Sequence, residues 1–305
     1  MANQSTVTEF ILMGFSDDHD MQILYFVIFL VIYLLALVGN LLLGVVVILN
    51  HHLHAPMYFF LVNLSFSDVC FISTMTPKAM AASLTNNRQI SYVGCAAQVF
   101  SVFTFGSSEL SLLTVMAYDR YVAICHPLQY TLMMNWGACL QMAAASWIGN
   151  LIYASLHTIL TFRLNFCKFN RIEQFFCDVP NLQKISCTDT IINQILILVL
   201  AIIIASVCSG LIFISYGYIF SAVMKIPSVQ GRYKAFSTCT PHLTVFSLFL
   251  ISALFAYMRP QSLSSHTLDL LSAVFYTVLP PLLNPFIYSF RNKDIQKAVW
   301  KMLKI

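Results

Sequence analysis

The chain has 305 residues, of which 59% are hydrophobic and only 9% charged, with sixteen basic and twelve acidic side chains and a formal net charge of +4. Water-soluble domains carry about 25% charged residues, so these charges are too few to coat a soluble surface, and both a soluble enzyme and a disordered chain are excluded. An integral membrane protein remains, with little length for a separate soluble domain. The basic residues form no run, which gives no sign of a nucleic-acid partner.

A helix crossing the hydrocarbon core needs about 20 mostly apolar residues, and seven stretches meet that length: about 23–49, 57–84, 95–118, 136–162, 191–224, 235–258 and 270–290. Their length and lack of strict alternation favour helices over barrel strands. The expected fold is an all-α, seven-transmembrane helix bundle at 23–290, between an outer tail at 1–22 and a cytoplasmic tail at 291–305. An odd number of spans puts the termini on opposite sides. The first 22 residues hold no Lys or Arg and four acids, Glu9, Asp17, Asp18 and Asp20, whereas the last 15 hold Arg291, Lys293, Lys297, Lys301 and Lys304. The positive-inside rule then places the N-terminus outside. The apolar run near the N-terminus is too long, and lacks a basic lead, for a cleaved signal peptide. Asn3-Gln4-Ser5 is a glycosylation sequon on the outer side.

This orientation sorts the cysteines. Cys95, Cys167, Cys177 and Cys187 fall outside, where disulfides form, and four cysteines allow three connectivities. Cys70, Cys125, Cys139, Cys208 and Cys239 fall within spans or near the inner face and are expected to stay reduced. The second outer loop, about 163–190, contains three of the outer cysteines and reads as a lid over something.

Ionisable residues inside a membrane are costly and point to function. At 1.5 Å per residue, Asp68 and Glu109 each lie roughly 17 Å from the inner end of their spans, with Asn40 roughly 15 Å and Asn284 roughly 10 Å deep. These four fall in one layer, and two carboxylates at equal depth can share a proton or hold a cation. A small transporter using Asp68 and Glu109 is the rival class. Five spans carry no charge and no repeat is visible, which argues against it. No metalloprotease, nucleophile-elbow or phosphate-loop motif occurs, so the chain is not expected to be an enzyme. His51, His52 and His54 sit in a tight inner turn with no Cys or acid beside them, so no structural metal is expected there. Beyond Arg291, apolar Ile295, Ala298, Val299, Met302 and Leu303 recur at three- and four-residue spacing opposite Lys293, Lys297 and Lys301, the pattern of a short amphipathic helix on the inner leaflet of the lipid bilayer.

The inner end of the third span reads Met116-Ala117-Tyr118-Asp119-Arg120-Tyr121-Val122-Ala123-Ile124-Cys125-His126-Pro127-Leu128. Its Asp-Arg-Tyr resembles rhodopsin-like G-protein-coupled receptors, and the longer string resembles the olfactory receptors. So do Leu53-His54-Ala55-Pro56-Met57-Tyr58-Phe59-Phe60, Lys234-Ala235-Phe236-Ser237-Thr238-Cys239, Pro281-Leu282-Leu283-Asn284-Pro285-Phe286-Ile287-Tyr288-Ser289 and, near the N-terminus, Phe10-Ile11-Leu12-Met13-Gly14-Phe15. The resemblance covers the whole chain. Ala55, Gln129, Pro241 and the pair Leu250-Ile251 depart from the family's usual residues.

The resemblance implies disulfides Cys95–Cys177 and Cys167–Cys187 and a cation site, for a sodium ion, at Asp68 and Glu109. It also implies a stimulatory, olfactory-type heterotrimeric G protein as partner, a rise in cyclic AMP, and residence in the plasma membrane of olfactory cilia. A switch built on Asp119, Arg120, Tyr121, Tyr216, Asn284, Pro285 and Tyr288 is expected, with Arg120 passing from Asp119 to Tyr216 or Tyr288. The expected ligand site is the outer half of the bundle, lined by Val102, Phe103, Gly106, Ser107, Leu110, Leu200, Ile204, Leu254, Tyr257 and Thr277. That set is apolar with a few hydroxyls and no acid, which suits a small neutral volatile molecule; a non-odorant metabolite is the alternative ligand. Arg259 and His266 are expected at the solvated outer rim.

Overall fold

The computed structural model describes residues 7–16, 18–85, 87–166, 170–257 and 266–303. The sequon at Asn3, the Cys167 half of one expected disulfide and the rim residue Arg259 lie outside the described residues, as do the side chains of Tyr257, His266 and Arg291.

Ten α-helices occur among the described residues: α1 His19–Leu49, α2 Pro56–Thr85, α3 Tyr92–Cys125, α4 Tyr130–Met133, α5 Trp136–Phe162, α6 Val179–Lys184, α7 Ile191–Met224, α8 Val229–Tyr257, α9 His266–Arg291 and α10 Lys293–Leu303. Their ends follow from local chemistry. Asp18 caps α1 by accepting from the amides of Asp20 and Met21, so this helix starts ahead of its apolar run. Ser91 caps α3 through Gly94, and Asn135 caps α5 through Ala138. Six helices are long and apolar enough to cross a membrane: α1, α2, α3, α7, most of α8 (Val229–Ala256) and most of α9 (Leu268–Phe290). α5 is a continuous 27-residue helix but is not among those six; Ser146, Asn150, Ser155, His157 and Thr158 dilute its apolar character.

The outward faces are apolar. On α1, Leu24, Val27, Val31, Leu34, Leu35, Val38 and Leu41 are exposed at helical spacing, and α7 is exposed along most of its length. Such surfaces are stable only against lipid. The inward faces of α2, α3, α5, α7, α8 and α9 meet in one central cluster that includes Phe60, Leu64, Leu113, Met116, Ile212, Phe246 and Tyr288.

A three-stranded sheet corrects the all-α expectation for the outer end. Glu9–Leu12 is a strand, β1, which pairs antiparallel with β2 (Gln89–Ser91) and parallel with β3 (Arg171–Ile172), giving the order β2-β1-β3. The segment expected as a free tail is therefore the central strand of a cap. Phe10 and Leu12 alternate inward onto Ile90, Val99, Phe166, Ile172 and Leu182, the two-residue period of a half-buried strand.

The cap is tied down by Cys95–Cys177, and Gln98 of α3 accepts from the Cys177 amide through Oε1 while donating to the Thr74 carbonyl through Nε2. Cys187 is also disulfide-bonded, and Cys70, Cys125, Cys139, Cys208 and Cys239 are free. The Cys95–Cys177 bond closes an 82-residue separation, and cross-links over such loops stabilise by about 4–5 kcal/mol. Replacement of Cys95 by Ser is expected to remove most folded protein from the cell surface; surface labelling against total protein measures this.

Candidate functional site

The layer expected from depth alone is a bonded cluster. Asn284 of α9 donates one amide hydrogen to Asp68 Oδ2 of α2 at 2.9 Å and the other to Glu109 Oε1 of α3 at 3.0 Å. All three residues are at most 2% exposed. A primary amide has two N–H bonds on one nitrogen, so it joins two carboxylates as no hydroxyl can.

The fourth residue of that layer repairs the helix break. Pro285 has no N–H for the carbonyl four residues earlier, that of Pro281. Asn40 of α1 donates to this carbonyl at 2.8 Å and to Ala36 at 3.0 Å. Gly39 permits the close approach, because a Cβ there would stand 3.0 Å from Pro285.

At the inner end, Arg120 donates to Asp119 Oδ2 through Nη2 at 2.6 Å and Nε at 3.0 Å. The opposite oxygen, Oδ1, accepts from Tyr130 of α4 at 2.7 Å. Tyr130 was not among the sequence candidates; it is brought in by the helical turn after Pro127–Gln129, which spacing alone does not reveal. Burial is the largest cause of the raised pKa of this phenol, with the Asp119 carboxylate second. Tyr121 bonds His126 at 2.9 Å instead of facing the pair.

Neither Tyr216 nor Tyr288 bonds Arg120. Tyr216 of α7 bonds His242 Nδ1 of α8 at 2.8 Å, and His242 Nε2 bonds the Leu113 carbonyl of α3 at 2.8 Å. A carbonyl only accepts, so Nε2 carries a hydrogen, and in the neutral ring Nδ1 then accepts from the Tyr216 hydroxyl. His242 thus locks three helices together, and sequence reasoning overlooked it. Tyr288 is fully buried, and its hydroxyl has no hydrogen-bond partner.

The expected ligand-lining residues divide. Val102 lies in an outer cluster with Phe71, Met75, Leu270, Ala273 and the loop residues Phe175 and Phe176, so the second outer loop descends into the bundle. Gly106 lies under Tyr276 of α9, whose hydroxyl would be 2.9 Å from a Cβ at that position. Tyr276 also meets Phe71 and Phe249; the sequence reading chose its neighbour Thr277, whose hydroxyl instead bonds Ala273 within α9. Leu110 is buried in the central cluster, and Leu200 and Ile204 are half-buried on α7. Ser107 bonds the carbonyl of Phe103 in its own helix.

One residue corrects the expectation. Leu254 is 47% exposed on the same face as Ile251 and Phe255, turned outward toward lipid. Phe103 turns to α5, where its ring stacks on His157.

In the second outer loop, Asp178 accepts from Asn181 through both oxygens, and Lys184 donates to Asn181. Burial raises the Asp178 carboxyl from an ordinary 3.8 to about 6, opposed by Asn181 and Lys184. The folded form thus holds a proton that the unfolded chain releases between those values, and stability falls as pH rises through about 6. The melting temperature of the purified protein is expected to decline from about pH 4 to about pH 6, the window between those two values, and Asp178→Asn is expected to flatten this part of the profile.

The fold is similar to the crystal structure of squid rhodopsin, with a TM-score of 0.72 and 18% identity, covering 94% of this chain and 86% of that one. The chain belongs to the olfactory receptor family, whose profile matches residues 29–305. It is 49% identical over 304 residues to Olfactory receptor 14A16 of Homo sapiens, covering 100% of this chain and 98% of that protein. It is 46% identical over 302 residues to Olfactory receptor 5T17 of Mus musculus, covering 99% and 93%. It is a multi-pass membrane protein.

Proposed function

We propose that the chain is an odorant receptor with seven spans and an outer N-terminus, glycosylated at Asn3. It binds a small neutral volatile molecule in the outer half of the bundle and activates a stimulatory, olfactory-type G protein in the ciliary membrane, raising cyclic AMP. The observation that carries this reading is the pair of inner-end locks: Arg120 is held by Asp119, and its alternative partner Tyr216 is held by His242. Family membership and the acid-free outer lining support it.

In this mechanism the ligand favours one of two arrangements, and only its differential affinity shifts them. Release of His242 frees α8 to move away from α3. Release of Arg120 from Asp119, whose other oxygen stays with Tyr130, lets the guanidinium reach Tyr216, and the inner end opens for a G-protein helix. Asn284 and the Pro285 break lie between the two ends and carry the change. α10 rests on the inner leaflet through its lysines.

A sodium ion fits the central cluster by donor chemistry: Asp68 and Glu109 are carboxylates, and Asn284 Oδ1 is buried without a hydrogen-bond partner, an all-oxygen set suited to a hard cation. Asp68, Glu109 and Asn284 would hold it, and its charge would offset the two carboxylates.

The test is reconstitution. Purified receptor in lipid discs with the stimulatory G protein is expected to accelerate nucleotide exchange on addition of at least one member of a broad panel of neutral volatiles. Full binding of panel members with no acceleration of exchange would refute the coupling.

A further inference from the structure

His157 of α5 takes no part in the locks described above, yet it is fully buried and neither ring nitrogen has a hydrogen-bond partner. A neutral imidazole carries one donor and one acceptor, and native interiors rarely leave such groups unmet. Its ring lies flat on Phe103, with centroids 4.5 Å apart, and meets the edge of Tyr153 at 4.2 Å.

The helix register shows what surrounds it. Tyr92 at the start of α3 bonds the Phe162 carbonyl at the end of α5, and Asn150 bonds Ser111 midway, so the two helices run antiparallel. Seven residues outward from that midway bond, about two turns, stand His157 on one helix and Thr104 on the other. Thr104 Oγ1, Ser108 Oγ, Thr158 Oγ1 and Thr161 Oγ1 are likewise buried without partners. Ala154, one turn inward from His157, is fully buried and supplies no polar group.

We propose that this seam between α3 and α5 is a polar subsite of the ligand region, taking the hydroxyl group of an aliphatic alcohol; it rests on the reading of the outer half as the ligand site. A hydroxyl donates and accepts at once, matching an imidazole and threonine hydroxyls that offer both roles. A carboxylate or an ammonium would bring a charge into a seam that holds no opposite charge among the described residues. Phe103 supplies the apolar wall beside the hydroxyl, and Leu110, two turns inward on the same face of α3, continues it for the alkyl chain.

The test measures binding without a G protein. Purified full-length receptor in lipid discs is melted with straight-chain primary alcohols from butanol to decanol and with methyl ethers of matching length. The parent is expected to gain melting temperature with alcohols of one length range and not with the ethers. His157→Phe is expected to abolish that difference, and Thr104→Val to raise the half-saturating alcohol concentration about tenfold, the loss of one good hydrogen bond. Equal effects of alcohol and ether on the parent, or an alcohol effect retained in His157→Phe, would overturn the subsite and leave the seam to water. Where His157→Phe does not fold, Thr104→Val decides. A receptor that shows the alcohol effect but drives no nucleotide exchange refutes the coupling and spares the subsite; exchange driven by other volatiles without the alcohol effect does the reverse.

Discussion

Replacement of Asn284 by Leu is expected to leave almost no folded receptor. Asp68 and Glu109 share the two hydrogens of one buried amide, and an apolar side chain there leaves two facing carboxylates without that donor. Leaving a buried acceptor without its hydrogen bond costs about 1–3 kcal/mol, and more for a charged one, so losing two takes a large share of the roughly 5–15 kcal/mol that holds a protein folded. Asn284→Asp is expected to be worse, since it adds a third carboxylate. Adding Asp68→Asn to Asn284→Leu is expected to recover part of the loss, because the new amide restores a donor to Glu109. Fluorescence-detected size-exclusion of detergent extracts measures each variant; full recovery of Asn284→Leu without a second change would contradict the shared-donor account.

His242→Phe is expected to raise cyclic AMP in the absence of any ligand. Both imidazole nitrogens are engaged, one to Tyr216 and one to the Leu113 carbonyl, and each bond contributes about 1 kcal/mol net. Losing both shifts a two-state balance by roughly tenfold to thirtyfold toward the open arrangement. Tyr216→Phe breaks the same lock but also removes the hydroxyl that receives Arg120, so it is expected to lower the ligand-stimulated signal without a comparable rise in basal signal. Parallel behaviour of the two variants would contradict a lock whose released tyrosine is then reused.

Much of this was legible in the sequence, for reasons that differ by residue. Asp68 and Glu109 stood out because charge in hydrocarbon is rare, and helical rise alone placed them at one depth. Asn284 was legible as a member of the layer, though not as the bridge between the acids, because the turn of α9 around Pro285 decides where its amide points. The outer strand at Glu9–Leu12 was hidden: four residues have too little period to separate a strand from a tail, and its partners at Gln89–Ser91 and Arg171–Ile172 are distant in the chain. Leu254 was misassigned because an apolar residue on a span has three possible neighbours (ligand, lipid and another helix) and sequence does not rank them. Tyr276, which meets Gly106, Phe71 and Phe249, stands one position from Thr277, a rotation of about 100° on a helix. His242 and Tyr130 act through partners on other elements, so no local motif marks their bonds.

The central claim is that Arg120, once released from Asp119, couples a ligand in the outer half to a G protein at the inner end. The most direct measurement is cyclic AMP in cells displaying the parent chain and Arg120→Ala at equal surface level, exposed to the same broad panel of neutral volatiles. The account predicts a ligand-dependent rise in the parent and none in Arg120→Ala. An equal rise in both would contradict it.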